Sequence, residues 1–226
     1  MLPGRGQRFR PRPPSARTVR KILPIMSALS QASEPYQYRA KFTGVSLKGE
    51  TIEGKEFDEC AFRNCAFQES TFSGCVFRDS TLLECDLSIS QMTNSSFAKV
   101  SFKKCRLTGV NWSNARWPAV PLHTPVTFDE CMLNYSVFQG VALKGAAFLN
   151  CVAHEVDFSG ADLSGCDFTG TDLAGATFNQ TNLSSARLQR AHSYAIDLRS
   201  NKLVGAQFSL PEATSLLRAA GIIIVD

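Results

Sequence analysis

Large apolar residues recur at every fifth position along most of the chain. From Phe42 the series runs through Leu47, Ile52, Phe57, Phe62, Phe67, Phe72 and Phe77 to Trp112, Trp117 and Leu122 without a polar member. The phase then slips by one residue, and a second series runs from Phe128 through Leu133, Phe138, Leu143 and Phe148 to Phe208, broken only by Ala153 and Ser193. Two residues before most of these centres stands a small side chain, and all eight cysteines fall in that column. A period of five fits neither the 3.6-residue turn of a helix nor the two-residue alternation of an ordinary strand. It predicts a solenoid in which each five-residue unit forms one side of a coil, with one large and one small residue pointing inward and three outward.

The interruptions carry their own predictions. The slip lies between Trp117 and Phe128, a stretch with Pro118, Pro121 and Pro125. Proline cannot donate to a strand ladder, so a bulge or short loop is expected there, either a neutral one-residue insertion or a feature that meets a partner. The tryptophans at consecutive centres, Trp112 and Trp117, thicken the core at the same place. Ala153 and Ser193 are 40 residues apart and predict a face that is thin or bulged near His154 and Tyr194. After Phe208 the period ends and a helix of about ten residues is expected, with Ser209 and Glu212 as a capping box, Pro211 in the first turn and Gly221 as the stop. Leu210, Ala213, Leu216, Leu217 and Ala220 would line one face of that helix, covering the open end of the solenoid. Ile222, Ile223, Ile224 and Val225 remain uncovered and, with Leu210, Leu216 and Leu217, are read as half of a symmetric dimer contact.

The units Ala161-Asp162-Leu163-Ser164-Gly165, Cys166-Asp167-Phe168-Thr169-Gly170 and Thr171-Asp172-Leu173-Ala174-Gly175 resemble the repeat of the pentapeptide-repeat family. The resemblance implies an all-β fold, a right-handed quadrilateral β-helix with four units to a coil. It covers residues 38–208, between a leader (1–37) and a C-terminal segment (209–226). The 34 units then make 34/4 = 8.5 coils, a rod about 40 Å long at about 4.8 Å per coil. Twenty residues per coil puts Cys65, Cys85 and Cys105 in one internal ladder, and Cys131 and Cys151 in another. Such a motif is specific for fold and silent on function.

Charge changes the picture only when divided by position. The chain of 226 residues carries +4 overall, yet residues 1–37 hold seven basic groups against Glu34, which is +6. That Pro- and Arg-rich leader cannot bury a core and is expected to be disordered. It is a segment upstream of a true start at Met26, a solvated basic arm or an organelle transit peptide. The remainder balances to −2, with residues 38–122 at +2 and residues 123–226 at −4. No apolar run reaches the length of a membrane-spanning helix, so no membrane partner is expected. The cysteines form no CxxC and have no histidine spaced with them as a zinc set, so they read as structural thiols in a reducing compartment, with no metal or cofactor. His123, His154 and His192 lie in no catalytic motif, and no phosphate-cradling loop precedes a helix, so the chain does not read as an enzyme.

Asp157, Asp162, Asp167 and Asp172 stand just before successive centres, one on each face of a single coil, with Glu155 beside them and no Lys or Arg from Gly145 to Ala186. Either Asp is simply the common residue of that slot, or an acidic rod imitates duplex DNA in a basic groove. Val110-Asn111-Trp112 with Trp117-Pro118, and Phe208-Ser209-Leu210-Pro211-Glu212-Ala213 with Ser215-Leu216-Leu217, are similar to the albicidin-immunity members of the family and, more distantly, to its quinolone-resistance and microcin-immunity members. That resemblance implies a cytoplasmic homodimer that binds DNA gyrase or topoisomerase IV, not nucleic acid itself, and relieves poisoning of the enzyme. Several quinolone-resistance relatives need loops that project from the coils. A single one-residue slip therefore argues against strong quinolone protection. The rival reading is a protein-interaction scaffold with a different partner.

Overall fold

A computed structural model describes residues 34–117 and 126–225. The chain forms a right-handed four-sided β-helix of parallel coils, closed at its C-terminal end by one short helix. The first face stacks Phe42, Phe62, Leu82, Phe102, Phe128 and Phe148 in parallel register, and Leu188 pairs with Phe208 at its end. The second face is a ladder of single bridges through Ser46, Ala66, Asp86, Arg106, Met132, Val152, Asp172 and His192. The third continues from Ile52 and Phe72 through bridges at Gln91, Asn111, Val137, Asp157 and Thr177. The fourth begins at Gln37, Phe57, Phe77 and Phe97 and resumes at Ala142, Asp162, Asn182 and Lys202. The first coil therefore starts at Tyr36, which pairs with Glu56, rather than at residue 38. The leader up to residue 33 lies outside the described residues.

Large side chains fill the interior as predicted. Phe128, Phe148 and Phe168 stack at 5.0 and 4.9 Å between ring centroids, and Phe138 and Phe158 meet Phe148 edge-on at 5.5 and 5.7 Å. The small column does more than make room. The Ser70 hydroxyl donates to the Leu47 carbonyl at 3.0 Å and the Cys105 thiol to the Leu82 carbonyl at 3.4 Å, each reaching the coil before. Ser, Thr and Cys recur there because they are small and carry a donor. All eight cysteines are free and buried. Hydrogen bonding with the Cys131 thiol, together with burial, pushes Cys105 up to about 12, so its thiolate, the reactive form, is scarce at neutral pH.

Three expectations need correction. Phe102 pairs with Phe128 and Arg106 bridges Met132, each 26 residues on where a coil needs 20. The interruption is thus six residues, one whole unit plus one, and the faces stay in register across it. As a result Cys105 and Cys131 are neighbours, and the two predicted ladders are one column of five from Cys65 to Cys151. A shift of one and a shift of six look alike in a five-residue period. Residues 118–125, with Leu122 and the three prolines, lie outside the described residues.

The second correction is at the last coil. Ala153 is fully buried within a regular ladder, so the face is not bulged there. At Ser193 the backbone turns left-handed (φ 60°), Tyr194 and Ile196 enter the core, and Leu198, predicted inside, is exposed. The Tyr194 ring lies 5.7 Å from Phe208. Asn201 takes over the donor position, its amide donating to the Phe178 carbonyl at 3.0 Å and accepting from the Thr181 amide at 2.9 Å.

The third concerns the cap. The helix, α1, spans only Thr214–Ala219, with no side-chain cap at its start. The Ser209 hydroxyl accepts instead from the Arg190 amide at 2.8 Å, which ties the turn to the preceding coil rather than closing a capping box. Gly221 does end the helix. It is left-handed (φ 81°), its amide donates to the Arg218 carbonyl and that of Ile222 to the Leu217 carbonyl, the paired bonds of a Schellman stop. Leu216 packs into the core, whereas Leu210 points to solvent, not along a shared apolar face.

Candidate partner-binding surface

The four aspartates sit at a slot of the repeat where a carboxylate or its isostere can close the turn. Each stands on the bridge residue of its face, and each Oδ1 accepts from the backbone amide two residues on: Asp157 from Ser159 at 2.8 Å, Asp162 from Ser164 at 3.2 Å, Asp167 from Thr169 at 3.0 Å, Asp172 from Ala174 at 3.2 Å. These turns hold the carboxylates close to the coil and half-buried. Asn182 accepts the same bond from Ser184, so the bond depends on the oxygen and not on the charge. Glu155 is exposed at a corner, its carboxylate lying over Gly175, where a Cβ would come within 2.6 Å of it.

The coil arithmetic also brings in cations that the linear sequence hides. Arg187 Nη2 lies 2.6 Å from Asp167, and Lys144 Nζ 3.3 Å from Asp162. Asp172 sits between two histidines, with His154 Nε2 at 2.8 Å and His192 Nδ1 at 3.3 Å. Burial pushes the pKa values of Asp162, Asp167 and Asp172 up, but hydrogen bonds from Ser164, from Thr169 and from His154, with the nearby cations, outweigh it and hold all three below the ordinary aspartate value. Asp157 and Glu155 make no ion pair among the described residues. The ring is confined to one coil. The coil before it carries Val137, Ala142, Ala147 and Val152 at the matching positions, and the coil after it Thr177, Asn182, Arg187 and His192.

A depressed pKa in the folded state links these groups to stability. Their contribution is complete above the unfolded value of about 3.9 and is lost as pH falls through the lower folded values. The thermal midpoint is expected to be flat from neutrality to about pH 5 and to fall below about pH 4. A midpoint that rises on acidification would contradict this assignment.

At the C-terminal end, Ile223 is 87% and Val225 83% exposed, and Leu210, Leu217, Ile222 and Ile224 are exposed with them. Of the residues read as a dimer contact, Leu216 alone is buried in its own protomer. Two further exposed apolar residues, Ile89 and Tyr135, went unmarked in the sequence reading. The signal was the corner column two past each centre, where Gly, Asn and charged residues are the rule.

Residues 55–138 match the family described as pentapeptide repeat region, and residues 131–170 and 154–190 match pentapeptide repeats (8 copies). With the coils above, this places the chain in the pentapeptide-repeat family. No curated protein matches it. Among solved structures, two trypsin-treated forms of QnrB1, a plasmid-mediated fluoroquinolone resistance protein, are 21% identical with TM-scores of 0.63 and 0.64, covering 84% of this chain and 99% and 100% of theirs. HetL, a pentapeptide-repeat protein involved in heterocyst differentiation regulation from the cyanobacterium Nostoc sp., is 20% identical with a TM-score of 0.34, covering 78% of this chain and 88% of its own. The likeness to QnrB1 is one of fold.

Proposed function

We propose that the protein is a cytoplasmic homodimer that binds a type II topoisomerase, DNA gyrase or topoisomerase IV, as a mimic of duplex DNA and protects it from a poison. It acts by occupying a surface, not by catalysis. The observation that carries the reading is the ring of Asp157, Asp162, Asp167 and Asp172, one carboxylate on each face of a narrow rod, with unpaired Glu155 beside it. Such a ring presents negative charge to a basic groove from any side. The fold shared with a fluoroquinolone resistance protein is in keeping with protection from a poison. One observation favours the rival, an interaction scaffold for another protein. The acidity occupies a single coil, and Lys144 and Arg187 flank it.

A titration of gyrase supercoiling with and without a poison tests the proposal. Restored supercoiling under the poison, or inhibition at higher protein concentration, supports it; no effect across the titration moves the weight to the scaffold.

The exposed tail supports assembly through the C-terminus, since apolar residues this accessible at one end of a rod cost solubility unless a second copy covers them. The protein is expected to elute as a dimer and Ile223→Asp as a monomer, by light scattering. A wild-type monomer at micromolar concentration would end the dimer proposal.

A further inference from the structure

The residue two past most centres is left-handed. Ile89 (φ 59°) and Tyr135 (φ 61°) are bulky apolar residues in that conformation, which for a β-branched side chain is an outlier. Burial does not offset the strain, because Ile89 is 59% and Tyr135 64% exposed. Strain held at an exposed apolar residue marks a functional surface. The two are corners of the second face, two coils apart, or about 10 Å at the inter-coil spacing. Gly109 is the corner between them. The Ile89 amide donates to the Thr108 carbonyl, that of Gly109 to Asn134 and that of Tyr135 to His154, which fixes the order of the stack. A Cβ on Gly109 would stand 3.7 Å from Ile89 Cγ1, an ordinary contact, so glycine at this corner leaves the flank of Ile89 uncovered and a shallow notch beside it. Exposed Met132 lies on the same face, bridged to Arg106 on one side and to Val152 on the other, and Val152 is bridged in turn to Asp172. The apolar surface therefore runs directly into the acidic coil.

We infer that this notch is the apolar anchor of the partner interface whose acidic part is Glu155 and Asp172. An apolar side chain of the partner inserts over Gly109 between Ile89 and Tyr135, and basic groups beside it meet the carboxylates one and two coils further on. The inference rests on the topoisomerase reading and adds to it a contact that salt does not screen.

The test is the affinity of purified DNA gyrase for the full chain at low and at high salt. Gly109→Asn fills the notch with a residue that tolerates the left-handed backbone, and Ile89→Gly with Tyr135→Gly removes its walls while relieving strain. Gly74→Asn is the control, made at a third-face corner with nothing within 4 Å. Because charge contacts are screened at high salt, the notch variants are expected to bind at least ~10-fold more weakly there, with melting temperatures no lower than the control's. The control is expected to bind as wild type. Notch variants that bind like wild type at both salt concentrations would overturn the inference and leave the topoisomerase reading standing. A wild type that does not bind gyrase at all would overturn both.

Discussion

Replacing Phe148 with alanine is expected to destabilise the rod by about 3–5 kcal/mol, the range for a large aromatic removed from a tightly packed core. Phe148 is wholly buried, stacked between Phe128 and Phe168 and met edge-on by Phe138 and Phe158. In a solenoid each coil touches only its neighbours, so no distant element can move in to fill the space. The backbone ladders on all four faces fix the coil spacing, which keeps the cavity from collapsing along the axis. Phe208, half-buried at the last coil and meeting only Tyr194 among the aromatics, gives the comparison. Phe208→Ala is expected to cost less than half as much. Urea denaturation followed by circular dichroism measures both. A loss under about 1 kcal/mol at Phe148 would mean that the stacked column is not the principal source of stability.

The largest functional effect is expected from neutralising the ring. A variant carrying Asp157→Asn, Asp162→Asn, Asp167→Asn and Asp172→Asn removes four negative charges yet keeps the acceptor in every turn, as Asn182 already does in its contact with Ser184. Charge reversal to lysine would be a poorer experiment, because it also deletes the oxygen that each turn uses. The melting temperature at neutral pH is expected to change by only a few degrees, since the ion pairs lost are exposed ones worth about 0–1 kcal/mol each. Affinity for gyrase is expected to fall by about 100-fold or more, in line with the loss of several charge contacts in one interface. Unchanged affinity in the folded variant would take the ring out of the mechanism.

How far the sequence could be read follows from what a five-residue period encodes. The inward pair at each unit is chemical, large against small, so the core from Phe42 to Leu188 could be written down from spacing alone. Period arithmetic modulo five cannot separate a slip of one from a slip of six, which is why the interruption was undercounted until Phe102 was seen beside Phe128. The last coil departed because Tyr194, one residue past its expected slot, is large enough to take the core volume that Leu198 would have filled. At the cap, Ser209 had two competing acceptor roles, and the Arg190 amide of the neighbouring coil prevailed over the helix start. The acidic ring is legible in the sequence, but its cationic partners lie one coil away in space and about 20 residues away in the chain. Adding 20 to Asp167 gives Arg187 and to Asp172 gives His192, and subtracting 18 from Asp162 gives Lys144. The corners at Ile89 and Tyr135 are legible in the sequence as apolar residues in a column of Gly, Asn and charged ones, but their strain needs the backbone angles.

The central claim is that the rod stands in the place of DNA. It is tested most directly by asking whether duplex DNA and this protein can occupy gyrase together, with labelled protein bound to purified gyrase and unlabelled duplex added. The account predicts mutual exclusion, with the protein displaced in proportion to the DNA bound, and with the displacement weakening at high salt as the DNA is released. A stable ternary complex of gyrase, DNA and this protein would contradict it.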